Sequence, residues 1–316
     1  MAKTKEISRR IKSVSSTKKI TKAMEVVSAA KMRKAIEAVL KTRTYANLSW
    51  ETVLHLAKLE KNSNESLHPL LKPRKKINRV AIILITSNRG MCGGYNSAVI
   101  NKAKESIDKH PIDTDFILVG KKGSIVNRQN YNVAAEFTKS DIITDAREIY
   151  PIVKMVLSDY AHKKYDKILV AYTDFINPAK QIARVKQLVP VEVSSKDEYL
   201  GVTGQDPKVG MTQEIIKERD KKHLTDEAYS YEYTFEPSPR EVLDKMIPRL
   251  IEIQLYQAFL EANASEHSAS MTAMHQATEA ASDMISELTL FYNKARQAGI
   301  TAEIAEISAG ANALAE

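Results

Sequence analysis

The chain has 316 residues, enough for one or two domains with a sizeable core. Its single cysteine, Cys92, excludes a disulfide framework and fits a reducing compartment. No apolar run approaches the roughly 18 residues of a spanning helix, so any membrane connection is indirect. The net charge of +8 conceals an asymmetry. Residues 1–43 hold thirteen Lys/Arg against three Asp/Glu, whereas residues 261–316 hold eight acids against Lys294 and Arg296. Opposite charges on two long segments favour their association. A basic segment can also bind nucleic acid, but this one has no aromatic residue before Tyr45 to stack on a base, so that reading is set aside.

Met1 to His68 contains neither glycine nor proline, which predicts one long helix. Ile7, Ile11 and Val14 are spaced i, i+4, i+7, and Ile20, Met24 and Val27 repeat the triplet 13 residues later, a broken heptad. Glu6 and the unbroken pattern behind it argue for mature protein rather than a transit peptide. Asn62 to Asn64, then Pro69 and Pro73, end the helix.

The middle opens on Arg79–Thr86, a continuous β-branched run that suits a strand buried on both faces. A glycine turn, Asn88–Asn96, leads into a helix through Val99, Ile100, Ala103 and Ile107. Further strands are expected at 115–119, 167–173 and 182–193, and helices near 124–130 and across 142–165. This alternation predicts a Rossmann-like α/β domain on a largely parallel sheet, residues 77–236. Within it, 194–230 is charge-rich and is read as an exposed insertion.

Ser238-Pro-Arg-Glu241 is a capping box that starts the last helix, 238–316, with Pro248 as an expected kink. From Leu250 on, 67 residues contain no proline and two glycines; one helix of that length is roughly 100 Å long. Such a helix needs a partner. Met274, Thr278, Ala281, Ile285, Leu288, Tyr292 and Ala295 sit at heptad spacing, so the segment pairs with helix 1–68 as an antiparallel coiled coil. The final turns, Ile307 to Ala315, are uncharged and small, which fits a frayed tail or a smooth tip inside a close-fitting ring.

Gly90, Gly93 and Gly94 lie between a strand and a helix, where phosphates are often cradled. The turn lacks the Gly-Lys-Ser/Thr ending of a P-loop and the spacing of a dinucleotide fingerprint, so it is read as structural. Cys92 is read as packed rather than nucleophilic, and the histidines show no metal-ligand spacing. No catalytic residue, cofactor or metal site is expected. A free-standing coiled-coil scaffold and an enzyme acting at the glycine turn are the competing readings.

Ile20-Thr-Lys-Ala-Met24, Lys31-Met-Arg-Lys34, Arg89–Asn96, Tyr292–Gln297 and Ile300–Ala313 occur in an order that resembles the γ subunits of F-type ATP synthases, across almost the whole chain. The resemblance implies the central rotor shaft, coupling ion-driven rotation of the c ring to ATP synthesis and hydrolysis on an α3β3 ring and helping to regulate ATPase activity and ion flow. It implies the α and β subunits, the ε subunit and the c ring as partners, with the catalytic residues on β. It also implies attachment as a peripheral subunit to the cytoplasmic side of a bacterial cell membrane. By the same resemblance Met24, Lys31, Arg33, Lys34, Arg296, Gln297, Thr301 and Glu303 contact the α and β subunits. Ser270 stands where the family commonly has arginine, which removes one expected ionic contact.

Overall fold

The computed structural model describes residues 2–62, 68–72, 74, 76–109, 111–143, 145–191, 236 and 238–315. Two long helices bracket a five-stranded sheet: α1 spans Ala2–Asn62, and α4, the last helix, spans Pro239–Ala315. The chain forms two compact units, Met1–Ala29 with Ser270–Glu316, and Ala30–Ala269. The architecture is the expected one: an α/β sheet domain with long terminal helices.

In the larger unit, β1 (Arg79–Ile85) lies at the centre of a sheet ordered β3-β2-β1-β4-β5. β2 (Asp113–Val119) and β4 (Lys167–Asn177) flank it in parallel, β3 (Asn132–Phe137) adds in parallel outside β2, and β5 (Lys180–Val189) returns antiparallel to β4. The run Val80–Ile85 is buried throughout because successive side chains enter two different cores. Val80, Ile82 and Leu84 pack with Phe116, Leu118 and α2 (Tyr95–Lys109). Ala81, Ile83 and Ile85 pack with Ile117, Val119, α3 (Tyr150–Ala161) and the Leu243–Ala262 stretch of α4.

Several local expectations need correction. The helix expected near 124–130 is a 3₁₀ helix, Lys121–Gln129. Its N-cap Gly120 has φ 93°, and a Cβ there would lie 2.3 Å from the Thr86 carbonyl oxygen, so glycine is required. The single helix expected over 142–165 is a short 3₁₀ turn, Ala146–Ile149, capped by the Asp145 carboxylate, followed by α3 with Pro151 in its first turn. β3 was not foreseen: its residues alternate exposed and half-buried on a sheet edge, leaving no apolar run to read. α4 continues through Pro248. Its start is as expected, with the Glu241 amide donating to Ser238 Oγ at 3.3 Å. The 194–230 insertion lies outside the described residues.

Candidate functional site

In the smaller unit, α1 and α4 pair antiparallel: Thr21 Oγ1 meets Thr278 Oγ1 at 2.8 Å, and Glu25 Oε1 meets His275 Nδ1 at 3.3 Å. As one number rises the other falls. Met274, Thr278, Ala281, Ile285, Leu288, Tyr292 and Ala295 are all half-buried or buried on α4, as their spacing predicts. On α1 the outcome differs. Ile7, Ile11, Val14, Lys18, Thr21, Glu25 and Ser28 form an unbroken heptad of half-buried positions, flanked by half-buried Ser8, Ser15, Met24 and Ala29. Ile20 and Val27, expected on the stripe, are instead 58% and 54% exposed, and only Met24 of that triplet is half-buried. The second apolar triplet therefore faces largely outward.

The opposite net charges of the two segments do not form a ladder of Lys/Arg bridges. Among the described residues of this unit, the cross-helix contact between titratable groups is Glu25–His275, with the acid on the basic helix. Arg10 and Lys22 pair within α1 instead, with Glu6 and Glu25. Charge supplies general attraction here, and side-chain fit supplies register. Outward-facing apolar residues are numerous: Ile20, Val26 and Val27 on α1, and Met284, Leu290, Phe291, Ile300, Ile304 and Ile307 on α4. Such density of large exposed apolar groups marks an interaction surface.

The residues expected to contact partners fall in both units. Met24 is half-buried; Arg296, Gln297, Thr301 and Glu303 are exposed on α4, with Thr301 Oγ1 bonded back to the Gln297 carbonyl at 3.0 Å. Lys31, Arg33 and Lys34 belong to the larger unit. Lys31 Nζ is engaged by Asp141 Oδ2 at 2.9 Å, which holds the Asp141 carboxyl below its usual range. Arg33, Lys34, Arg296 and Glu303 have no ion-pair partner among the described residues.

The glycine turn is internally satisfied. Asn96 Oδ1 accepts from the Ser87 amide at 3.0 Å, and Asn96 Nδ2 donates to Ser87 Oγ at 2.7 Å and lies 3.1 Å from Cys92 Sγ. Gly93 has φ +53° and Met91 φ 64°, so two left-handed residues reverse the chain before α2. Gly90 and Gly94 leave room for a Cβ and have no positive φ, so in this turn conformation asks for glycine at Gly93 alone. Cys92 is buried, and burial pushes its thiol up, against nucleophilic use.

β1 lies between β2 and β4, so its carboxyl end is the topological switch point, where open α/β sheets hold ligands. The chain's own last helix is anchored there. Ser265 Oγ donates to the Thr173 carbonyl on β4 at 3.1 Å. The Lys139 ammonium, on the loop after β3, meets Glu266 Oε2 at 2.5 Å with 1% of its side chain exposed. His267 Nε2 donates to the Asp141 carbonyl at 2.7 Å. Ser268 Oγ donates to the Pro178 carbonyl at 2.7 Å in the β4–β5 turn and accepts from Gln181 Nε2 at 3.2 Å. Four consecutive residues of α4 thus hold five different backbone or side-chain partners. Burial pushes the His267 pKa down, so the ring is a neutral Nε2–H donor. None of this was foreseen, because Ser-Glu-His-Ser reads as a solvent-facing helix stretch. Among the described residues, no group of three His, Cys, Asp or Glu is placed to hold a metal, and no helix is long and apolar enough to cross a membrane.

The family model for ATP synthase matches residues 3–314. ATP synthase gamma chains of Herpetosiphon aurantiacus and Pelotomaculum thermopropionicum are 38% and 39% identical, each over 99% of this chain and at least 99% of its own length. The chain belongs to the ATP synthase gamma-chain family. Its fold is also that of a chain in the central stalk and c ring of Tetrahymena thermophila mitochondrial ATP synthase, at a TM-score of 0.58, 20% identity and coverage of 82% and 99%. A chain from the Euglena gracilis mitochondrial enzyme in rotational state 3 gives 0.62, 15% identity and coverage of 99% and 95%. For a gamma chain of this family, the outward apolar residues and the gripped helix become the features that need a mechanical account.

Proposed function

We propose that the chain is the central rotor shaft of a bacterial F-type ATP synthase. It links rotation of the c ring to ATP synthesis and hydrolysis on an α3β3 ring. The observation that carries this reading is the antiparallel pair of helices whose outer surface keeps Ile20, Val26, Val27, Met284, Leu290, Phe291, Ile300, Ile304 and Ile307 exposed. Uncharged, bulky side chains around a helix pair suit a surface that slides against a ring at changing angles. Ionic contacts fixed at one angle would resist that motion. Met24, Arg33, Lys34, Arg296, Gln297, Thr301 and Glu303 supply angle-dependent contacts with the α and β subunits, and Lys31 does so while holding Asp141. Such contacts drive β through its states only because they differ between those states.

The chain contributes torque rather than bond chemistry. The crevice where a sheet of this order would hold a ligand carries Ser265 and Glu266 of α4, and at the glycine turn Ser87, Cys92 and Asn96 bond to one another. The sheet unit contacts the ε subunit and the c ring, placing the chain peripherally at the cytoplasmic face of the cell membrane. The test is replacement of the gamma chain in a bacterial ATP synthase by this one. Co-purification with α and β subunits, and ATP-driven rotation of a bead attached to the sheet unit, are expected. A chain that purifies without those subunits as a stable homodimer overturns the reading.

A further inference from the structure

A rotor must pass torque between its sheet and its last helix, and within the larger unit most of the contact between the sheet and α4 is apolar. The apolar driving force is non-directional, so apolar contact resists rotation of a helix about its own axis only through the fit of its side chains. Directional bonds do fix it. In the larger unit those bonds concentrate on Ser265, Glu266, His267 and Ser268, within the final turns of α4 before that unit ends at Ala269. At 3.6 residues per turn, four consecutive residues span roughly 300° of the helix circumference. Their partners come from four places: β4 at Thr173, the β4–β5 turn at Pro178, β5 at Gln181, and the loop after β3 at Lys139 and Asp141. The same loop reaches α1 through Asp141–Lys31, and its Lys139 carbonyl accepts from Asn88 Nδ2 at 2.5 Å, tying it to the turn after β1.

We propose that these four residues, with Lys139 and Asp141, form a polar collar that grips α4 against rotation and is the joint through which torque passes between sheet and shaft. The inference rests on the rotor reading above. A buried ion pair adds little net stability compared with an apolar pair, and its best-attested use is to fix register. Lys139–Glu266 has that character, with side-chain exposures of 1% and 14%. Lys139, Asp141 and the four α4 residues are positioning residues, since the chemistry belongs elsewhere in the complex.

The test uses the assembled α3β3 complex containing the full chain, fixed through the ring, with a bead on a cysteine at the exposed Lys109 (K109C). Cys92, 2% exposed, stays unlabelled. Torsional stiffness is read from the angular fluctuation of the bead during catalytic pauses. Because satisfied polar networks rigidify, S265A/S268A is expected to lower stiffness about 1.5-fold and K139M about threefold, with K139R recovering most of the loss. S265A/S268A changes little volume, so it decides the matter if K139M fails to assemble. Wild-type stiffness in S265A/S268A, or in K139M with only its melting temperature lowered, overturns the collar. A bead that does not turn on the unsubstituted chain overturns the rotor reading instead.

Discussion

Tyr95, the first residue of α2, has a buried hydroxyl with no hydrogen-bond partner among the described residues. Burial and the nearby Glu266 carboxylate push its pKa well up, so it stays neutral. Its ring still serves: the Lys139 ammonium sits 5.7 Å from the centroid, within cation–π reach. A buried hydroxyl without a partner costs about 1–3 kcal/mol of desolvation. Tyr95→Phe keeps the ring and removes that cost. The variant is therefore expected to be as stable as the parent or more stable by about 1 kcal/mol in a urea melt of the full chain. His267 belongs to the same neighbourhood, with Lys31, Lys139, Asp141 and Glu266 as the charged groups around it. Its folded pKa lies below the ordinary value, so on acidification the unfolded chain takes up a proton first. Stability should fall as pH drops below about 6.5, and level off below the folded value. Asp141 acts at lower pH: its depressed pKa gives stability that is present above about 3.9 and lost as pH falls through the folded value. Melting curves of His267→Gln, whose amide can replace the Nε2–H donor, are expected to show a shallower loss between pH 7 and 5.5.

At the scale of elements, the outer face of α1 offers a clean separation of folding from assembly. Ile20 and Val27 are more than half exposed and sit off the helix–helix stripe. Replacing both with serine leaves the isolated chain within about 0.5 kcal/mol of its parent stability, the usual range for surface positions. The same double variant is expected to weaken association with the α and β subunits, read as gamma chain lost on gel filtration of the complex. These two residues also show where sequence stops being legible. The apolar triplet Ile20, Met24, Val27 looks like a continuation of Ile7, Ile11, Val14, and the 13-residue offset was the sign that it changes face. β1 was readable because both its faces are buried and every position is apolar. β3 was not, because an edge strand with one covered face leaves only Val133, Ala135 and Phe137 as a signal. The glycine turn drew the eye as a structural feature, yet Gly120, the position with no alternative to glycine, passed unnoticed. The 265–268 stretch was opaque for a different reason: burial of polar residues is a tertiary fact, and no local pattern separates it from a solvated face.

For the whole molecule, the arrangement of its bonds divides holding from gripping. The sheet's two apolar cores hold α2, α3 and α4 by area, while Ser265–Ser268 hold α4 by direction. In the smaller unit a seven-residue repeat of covered positions runs along both helices, from Ile7 to Ser28 and from Met274 to Ala295. A repeat of seven is shorter than two natural helical turns, and two helices that keep it wind around each other to the left. A wound pair is not symmetric under twist. Torque of one sign tightens the winding and presses Thr21 against Thr278; torque of the other sign slackens it and opens the same contact. A machine that both makes and consumes ATP loads this pair in both senses, so its spring is stiffer in one direction of work than in the other.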